Sequence, residues 1–216
     1  GAHGASPHRG RDPIVIGSQI VLALQTIISR ERAPRDPAVI TVGSFHAGTK
    51  SNIIGDNAKL SLTVRNESFE TRDMLLKAIK RVAINTARAA GVPENQLPEI
   101  TIVGEPAPPT LNNIPLTKRL KKVWTEKLGV GIFDPNYQRL DMGAEDFPQF
   151  TTKPYIPSVY FSVGGTPKEA FEAEKAGGPP VPSHHSPLFK ISAEPAVKTG
   201  VETTVIALID LLQKAK

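Results

Sequence analysis

Ala58-Lys59-Leu60-Ser61-Leu62-Thr63-Val64-Arg65 alternates apolar and polar side chains without a break. Successive strand side chains point to opposite faces, so Leu60, Leu62 and Val64 face one way. Lys59, Ser61, Thr63 and Arg65 face the other. A sheet holding this strand has one covered face and one wetter face. Upstream, Val39 to Phe45 is rich in β-branched residues and reads as a second strand.

Helical patterns flank the two strands. Asp12-Pro13 opens the first, because Asp can cap free backbone N–H groups and Pro suits the first helical position. Ile16, Ile20, Leu24 and Ile27 or Ile28 then recur at helical spacing to about Arg30, and the prolines up to Pro37 end the run. A second amphipathic helix is predicted from about Phe69 to Ala90, with Leu75, Ile79, Val82 and Thr86 inward. Gly91 and Pro93 stop it. Ile100 to Val103 reads as a short strand. The order helix–strand–strand–helix–strand predicts an α/β fold, a ferredoxin-like α/β sandwich whose first strand would precede Gly1. The N-terminus has no initiating methionine and reads as that of a truncated or processed chain.

Glu105 to Pro115 is proline-rich and marks a boundary, giving expected domains at 1–105 and 106–216. Beyond it, Leu116 to Leu128 is a helix closed by Gly129, Ser158 to Val163 a short buried strand, and Pro195 to Lys214 a long terminal helix. So few elements predict part of a larger α/β domain.

Composition is that of an ordinary globular chain, 39% hydrophobic and 22% charged, with no cysteine to form disulfides or thiolate metal sites. No uninterrupted apolar run approaches the length of a membrane span, and no signal peptide is visible. Compartment is not encoded; the cytoplasm is the default. The net charge of +5 raises nucleic acid as a partner, but the basic residues are dispersed and no base-stacking aromatic platform is present. The expectation is no nucleic acid and no membrane.

The chemistry-bearing candidates are few. Of the histidines His3, His8, His46, His184 and His185, the last two sit in the Pro-flanked loop Pro182-Ser183-His184-His185-Ser186-Pro187, where either a metal ligand or a surface group fits. Gly143-Ala144-Glu145-Asp146-Phe147 puts paired carboxylates at a predicted helix start. They either cap that helix or orient a metal ligand or substrate. His3 lies among small residues, Asn52 in a turn between strands, and Arg65 at a strand end, where its donor fork suits a carboxylate or oxyanion and equally a solvated surface. Gly164-Gly165 is too short for a phosphate cradle, and no nucleophile elbow or dinucleotide fingerprint occurs.

Six segments in order resemble the metal-dependent amidohydrolases that include hippurate hydrolase, aminoacylases and indoleacetyl-amino acid hydrolases. They are Gly1-Ala2-His3-Gly4-Ala5-Ser6-Pro7, Ser51-Asn52-Ile53-Ile54-Gly55-Asp56, Thr63-Val64-Arg65, Pro108-Pro109-Thr110-Leu111-Asn112-Asn113, Gly143-Ala144-Glu145-Asp146-Phe147 and His185-Ser186-Pro187-Leu188-Phe189. The resemblance implies a lid (dimerisation) domain followed by the C-terminal part of a zinc-peptidase-like catalytic domain, hydrolysing N-acyl amino acids or related small amides and peptides. It implies two divalent metals per site (zinc, manganese, nickel or cobalt) and a homodimer formed through the lid. By the same resemblance His185 ligates metal, His3 is the lid histidine that stabilises the tetrahedral intermediate, and Asn52, Arg65 and Gly164 meet substrate. Glu145 stands behind the metal. The family's remaining ligands and its general-base glutamate precede the lid and have no counterpart here, and Gly55 replaces a family proline. The alternative is a non-catalytic ferredoxin-like module for dimerisation or for binding small molecules or RNA.

Overall fold

The computed structural model describes residues 1–104, 106–135 and 142–213. The chain forms two compact units, one from residues 1–110 with 139–154 and the other from 111–138 with 155–216. The expected boundary falls at Glu105, outside the described residues.

In the first unit, helix α1 (Pro13–Arg30) starts where the Asp12 carboxylate accepts the Ile14 amide at 2.8 Å. Ile16, Ile20, Leu24 and Ile27 form its buried stripe. Strands β2 (Ala38–Ala47) and β4 (Ala58–Asn66) pair antiparallel, with Ile40 opposite Val64, Val42 opposite Leu62 and Phe45 opposite Leu60. The register shifts between Val42 and Ser44, so Gly43 is an extra, bulged residue. Without it Phe45 would fall on the wet face. The bulge turns its ring toward α1, where a Cβ on Gly17 would lie 2.7 Å from the ring edge. Helix α2 (Phe69–Ala89) is capped by Ser68, whose Oγ accepts the Thr71 amide at 3.0 Å.

Both helices cover one face of the β2–β4 pair, and Ile20, Leu24, Ile27, Ile40, Leu75, Ile79 and Ala87 close a single core. Leu24, Ile27 and Leu75 are fully buried, each contributing about 1.5–3 kcal/mol of transfer free energy. By length and composition alone α1 would reach across a bilayer. Its apolar stripe is instead the floor of this core.

The α/β reading holds, and the sheet is narrower than expected. Ile100–Val103 has no regular secondary structure and makes no ladder among the described residues. A strand exists only through its partner. In a split β-α-β arrangement the strand after α2 lies beside one that precedes α1; among the described residues the strand ahead of α1 is the two-residue β1 (Ala2–His3). That strand pairs instead with β3 (Ile53–Ile54). A short helix α4 (Gln149–Thr152) also belongs to this unit, where the Gln149 amide group donates to the Pro106 carbonyl.

The second unit is built on α3 (Ile114–Leu128) and α6 (Ala193–Leu212), with a peripheral α5 (Lys168–Lys175). The expected end of α6 at Lys214 lies outside the described residues. Leu120, Trp124 and Ala207 are its buried centre, and Trp124 Nε1 donates to the Thr203 carbonyl at 2.8 Å. Ser158–Val163 is not a strand. The Asn112 side chain substitutes for a ladder partner, donating to the Tyr160 carbonyl at 2.8 Å and accepting the Tyr160 amide at 2.7 Å. Asn113 caps α3 through the Leu116 amide at 3.0 Å. Along α6, Val197, Val201, Val205, Leu208 and Leu212 form a stripe exposed to solvent.

Candidate functional site

His3 and Asn52 adjoin. β1 and β3 pair with His3 opposite Ile53, and one step beyond that pairing the Gly4 amide donates to the Asn52 carbonyl at 2.8 Å. Space favours glycine there. A Cβ on Gly4 would meet the Asn52 carbonyl carbon at 3.0 Å, its oxygen at 3.1 Å and its Cα at 3.2 Å, all backbone atoms. The chain then turns sharply, the Ser6 amide donating to the His3 carbonyl at 2.8 Å and the Ala5 amide to His3 Nδ1 at 3.0 Å. Both side chains are exposed, so imidazole and carboxamide are presented to solvent from one rigid junction. The small residues around His3 indicate close backbone approach in the sequence, and Gly4 makes it; the Ala5 amide bond was not foreseen. The signal available was the small-residue run after His3.

Arg65 is on the exposed face of β4, opposite Val39. It is not near Asn52. β4 begins at Ala58, on the Asn52 side, and Arg65 stands seven residues further along, about 23 Å at roughly 3.3 Å per residue. The structure thus separates the expected Asn/Arg pair to opposite ends of one domain.

Glu145 is exposed in irregular chain ahead of α4. The helix begins later than the sequence predicts, at Gln149, with Pro148 at its N-cap and no side-chain cap, so neither Glu145 nor Asp146 caps it; the Asp146 carbonyl accepts the Gln149 amide. In the second unit, His184 and His185 are the central residues of a turn closed by the Ser186 amide donating to Ser183 at 2.9 Å. Their rings lie 4.4 Å apart, both exposed. Gly164 is exposed, and a Cβ there would meet nothing within 4 Å. His46 lies opposite Lys59 on the outer sheet face. A groove of about 790 Å³ between α1 and α2, lined by Arg11, Val15, Gln19, Val82 and Thr86 among others, contains none of the candidates.

Among the described residues no three His, Asp or Glu side chains converge to hold a metal ion. A catalytic metal needs about three protein donors, so these residues do not make a metal centre by themselves.

Comparison with known proteins places this architecture. Residues 1–90 match the family model described as a peptidase dimerisation domain of the M20 type. The match covers 90 of the chain's 216 residues. The chain is similar over 195 residues, at 36% identity, to an IAA-amino acid hydrolase of Arabidopsis thaliana, covering 90% of this chain and 40% of that protein. A solved structure from methicillin-resistant Staphylococcus aureus, of the aminohydrolase class, superposes with a TM-score of 0.72 at 27% identity, covering 96% of this chain and 48% of that one. A Bacillus subtilis structure described as a dinuclear metal-binding peptidase of the M20 family shares the fold, with a TM-score of 0.60 at 23% identity over 92% of this chain and 46% of that one. The chain therefore spans less than half the length of each of these proteins. Within the residues matched by that model lie His3, Asn52 and Arg65; Gly164 and His185 fall in the second unit.

Proposed function

We propose that the chain is the dimerisation domain and C-terminal part of a metal-dependent amidohydrolase that cleaves the amide bond of N-acyl amino acids or related small amides or peptides. One observation carries the reading: an imidazole and a carboxamide held at adjoining backbone positions by a glycine that only close backbone approach explains. Hydrogen-bond donors fixed before reaction and aimed at an oxygen that gains charge are what acyl transfer requires. In this reading His3 and Asn52 serve that oxygen, and Arg65 clamps the substrate carboxylate with its planar fork. His185 ligates one of two divalent ions (zinc, manganese, nickel or cobalt), Glu145 orients groups beside it, and Gly164 leaves room for substrate. The other metal ligands are assigned to the part of the relatives' length that this chain does not span. The amide class is supported by the IAA-amino acid hydrolase likeness, and a purely non-catalytic module has no comparable support.

The separation of Arg65 from Asn52 supports a homodimer. A small N-acyl amino acid cannot touch both ends of one domain, whereas two copies can supply His3 and Asn52 from one subunit and Arg65 from the other. Val15 and Leu22 of α1 are 52% and 71% exposed. Among the described residues the outer edge of β2 is open, so apolar surface and backbone groups are both available for pairing. The exposed α6 stripe supports a further apolar layer supplied by the rest of the catalytic domain.

The test is hydrolysis of hippurate and indoleacetyl-amino acids by the longer protein loaded in turn with each of the four metals, with sedimentation to read its mass. Release of free amino acid from a dimer is the expected result. A metal-loaded dimer inert to the whole acyl panel would sink the assignment.

A further inference from the structure

The His3 turn accounts for three successive amides. Gly4 N–H goes to the Asn52 carbonyl, Ser6 N–H to the His3 carbonyl, and Ala5 N–H to His3 Nδ1 at 3.0 Å. The direction of the last bond is not a choice, because a backbone amide only donates. Nδ1 must therefore offer its lone pair. A neutral imidazole carries one N–H, which leaves the proton on Nε2.

We propose that the Ala5 backbone amide is the positioning group of this site, fixing His3 as the Nε2–H tautomer and holding its ring to the turn. In its neutral form His3 then presents a hydrogen-bond donor at Nε2 and has no free nitrogen to take a proton. This rests on the reading of His3 as a residue that serves substrate, and deepens it: the imidazole acts as a donor to an oxygen and not as a general base. Because the Gly4 amide ties the same turn to Asn52, the two donors are set by one backbone arrangement. An ordinary hydrogen bond disfavours the other tautomer by roughly fivefold, and Nδ1–H would also face the Ala5 N–H head-on.

The test is nitrogen NMR on the 216-residue chain labelled with ¹⁵N, at a pH where His3 is neutral. Long-range proton–nitrogen correlations should show a pyridine-type Nδ1 and a pyrrole-type Nε2, with a scalar coupling across the Ala5 N–H···Nδ1 bond. A pyrrole-type Nδ1, or averaged nitrogens without that coupling, overturns the proposal. Ala5→Pro, which has no N–H, should give averaged nitrogens for His3 while the other four histidines keep their spectra. Unchanged His3 nitrogens in that variant also overturn it. The catalytic reading is separated by His3→Ala in the longer protein. If the tautomer is fixed and that variant hydrolyses at the wild-type rate, the positioning stands and the substrate role of His3 falls.

Discussion

Replacing Gly4 by alanine tests the site through a single methyl group. The new Cβ would lie 3.0–3.2 Å from three backbone atoms of Asn52, where carbon contacts prefer about 3.5–4.0 Å. No side chain can rotate away, so β1 and the Asn52 turn must part by about a few tenths of an ångström. That stretches the Gly4–Asn52 hydrogen bond from 2.8 Å toward the long end of the useful range of about 3.2 Å, and strain and weakened bond together cost about 1 kcal/mol locally. Neither Gly4 nor Asn52 belongs to the α1–α2 core, so the change should leave the bulk of the fold intact. His3 and Asn52, however, would shift relative to each other, and a displacement of about 1 Å costs up to 10²-fold in rate. Scaled to a few tenths of an ångström, the expected kcat loss in the longer protein is about fourfold to tenfold, with KM little changed and metal content equal to wild type. The assay is steady-state hydrolysis of an N-acyl amino acid beside metal analysis and a melting curve. Wild-type kcat in a correctly melting Gly4→Ala protein would refute the claim that this junction positions catalytic donors.

Leu75→Ala should lower the unfolding free energy of the dimerisation domain by about 2–5 kcal/mol, because Leu75 is fully buried; a urea titration showing less than about 1 kcal/mol would contradict the packing. The Glu94 carboxyl is held below its ordinary range by its hydrogen bond to the Arg88 guanidinium, with desolvation opposing and the charge of Arg88 assisting. Its folded value being lowered, its stabilising contribution is present above about pH 4.3 and is lost as pH falls through the native value. A carboxylate NMR titration should find the low midpoint, and Arg88→Ala should return it to the ordinary range. His185→Ala in the longer protein should lose about one metal equivalent by elemental analysis; full occupancy would remove His185 from the ligand set.

The two long helices and two long strands of the dimerisation domain were legible because each carries its own periodicity and stop signals. Pro13 and Asp12 start α1, Gly91 ends α2, and alternation fixes the inward face of β4. The strands expected at Ile100–Val103 and Ser158–Val163 were overread. Their composition suits a strand, but pairing is a tertiary property that composition cannot supply. At 158–163 the Asn112 side chain takes the place a strand would have filled. The Gly43 bulge was invisible for a similar reason: an extra residue shows only against its partner. For the site, residue types and order pointed to His3 and Asn52 through family likeness. That their backbones touch, and that Arg65 stands at the far end of the same domain, comes from strand pairing and length. No single motif contains that information.

The distance between Arg65 and Asn52 has a genetic consequence. With the proposed site shared between two subunits, those lacking His3 and those lacking Arg65 would each form dead homodimers, yet a mixed dimer would combine an intact His3 from one with an intact Arg65 from the other at one of its two sites. Two loss-of-function alleles of this gene would then complement each other, while two alleles damaged at His3 and Asn52, which travel together, would not.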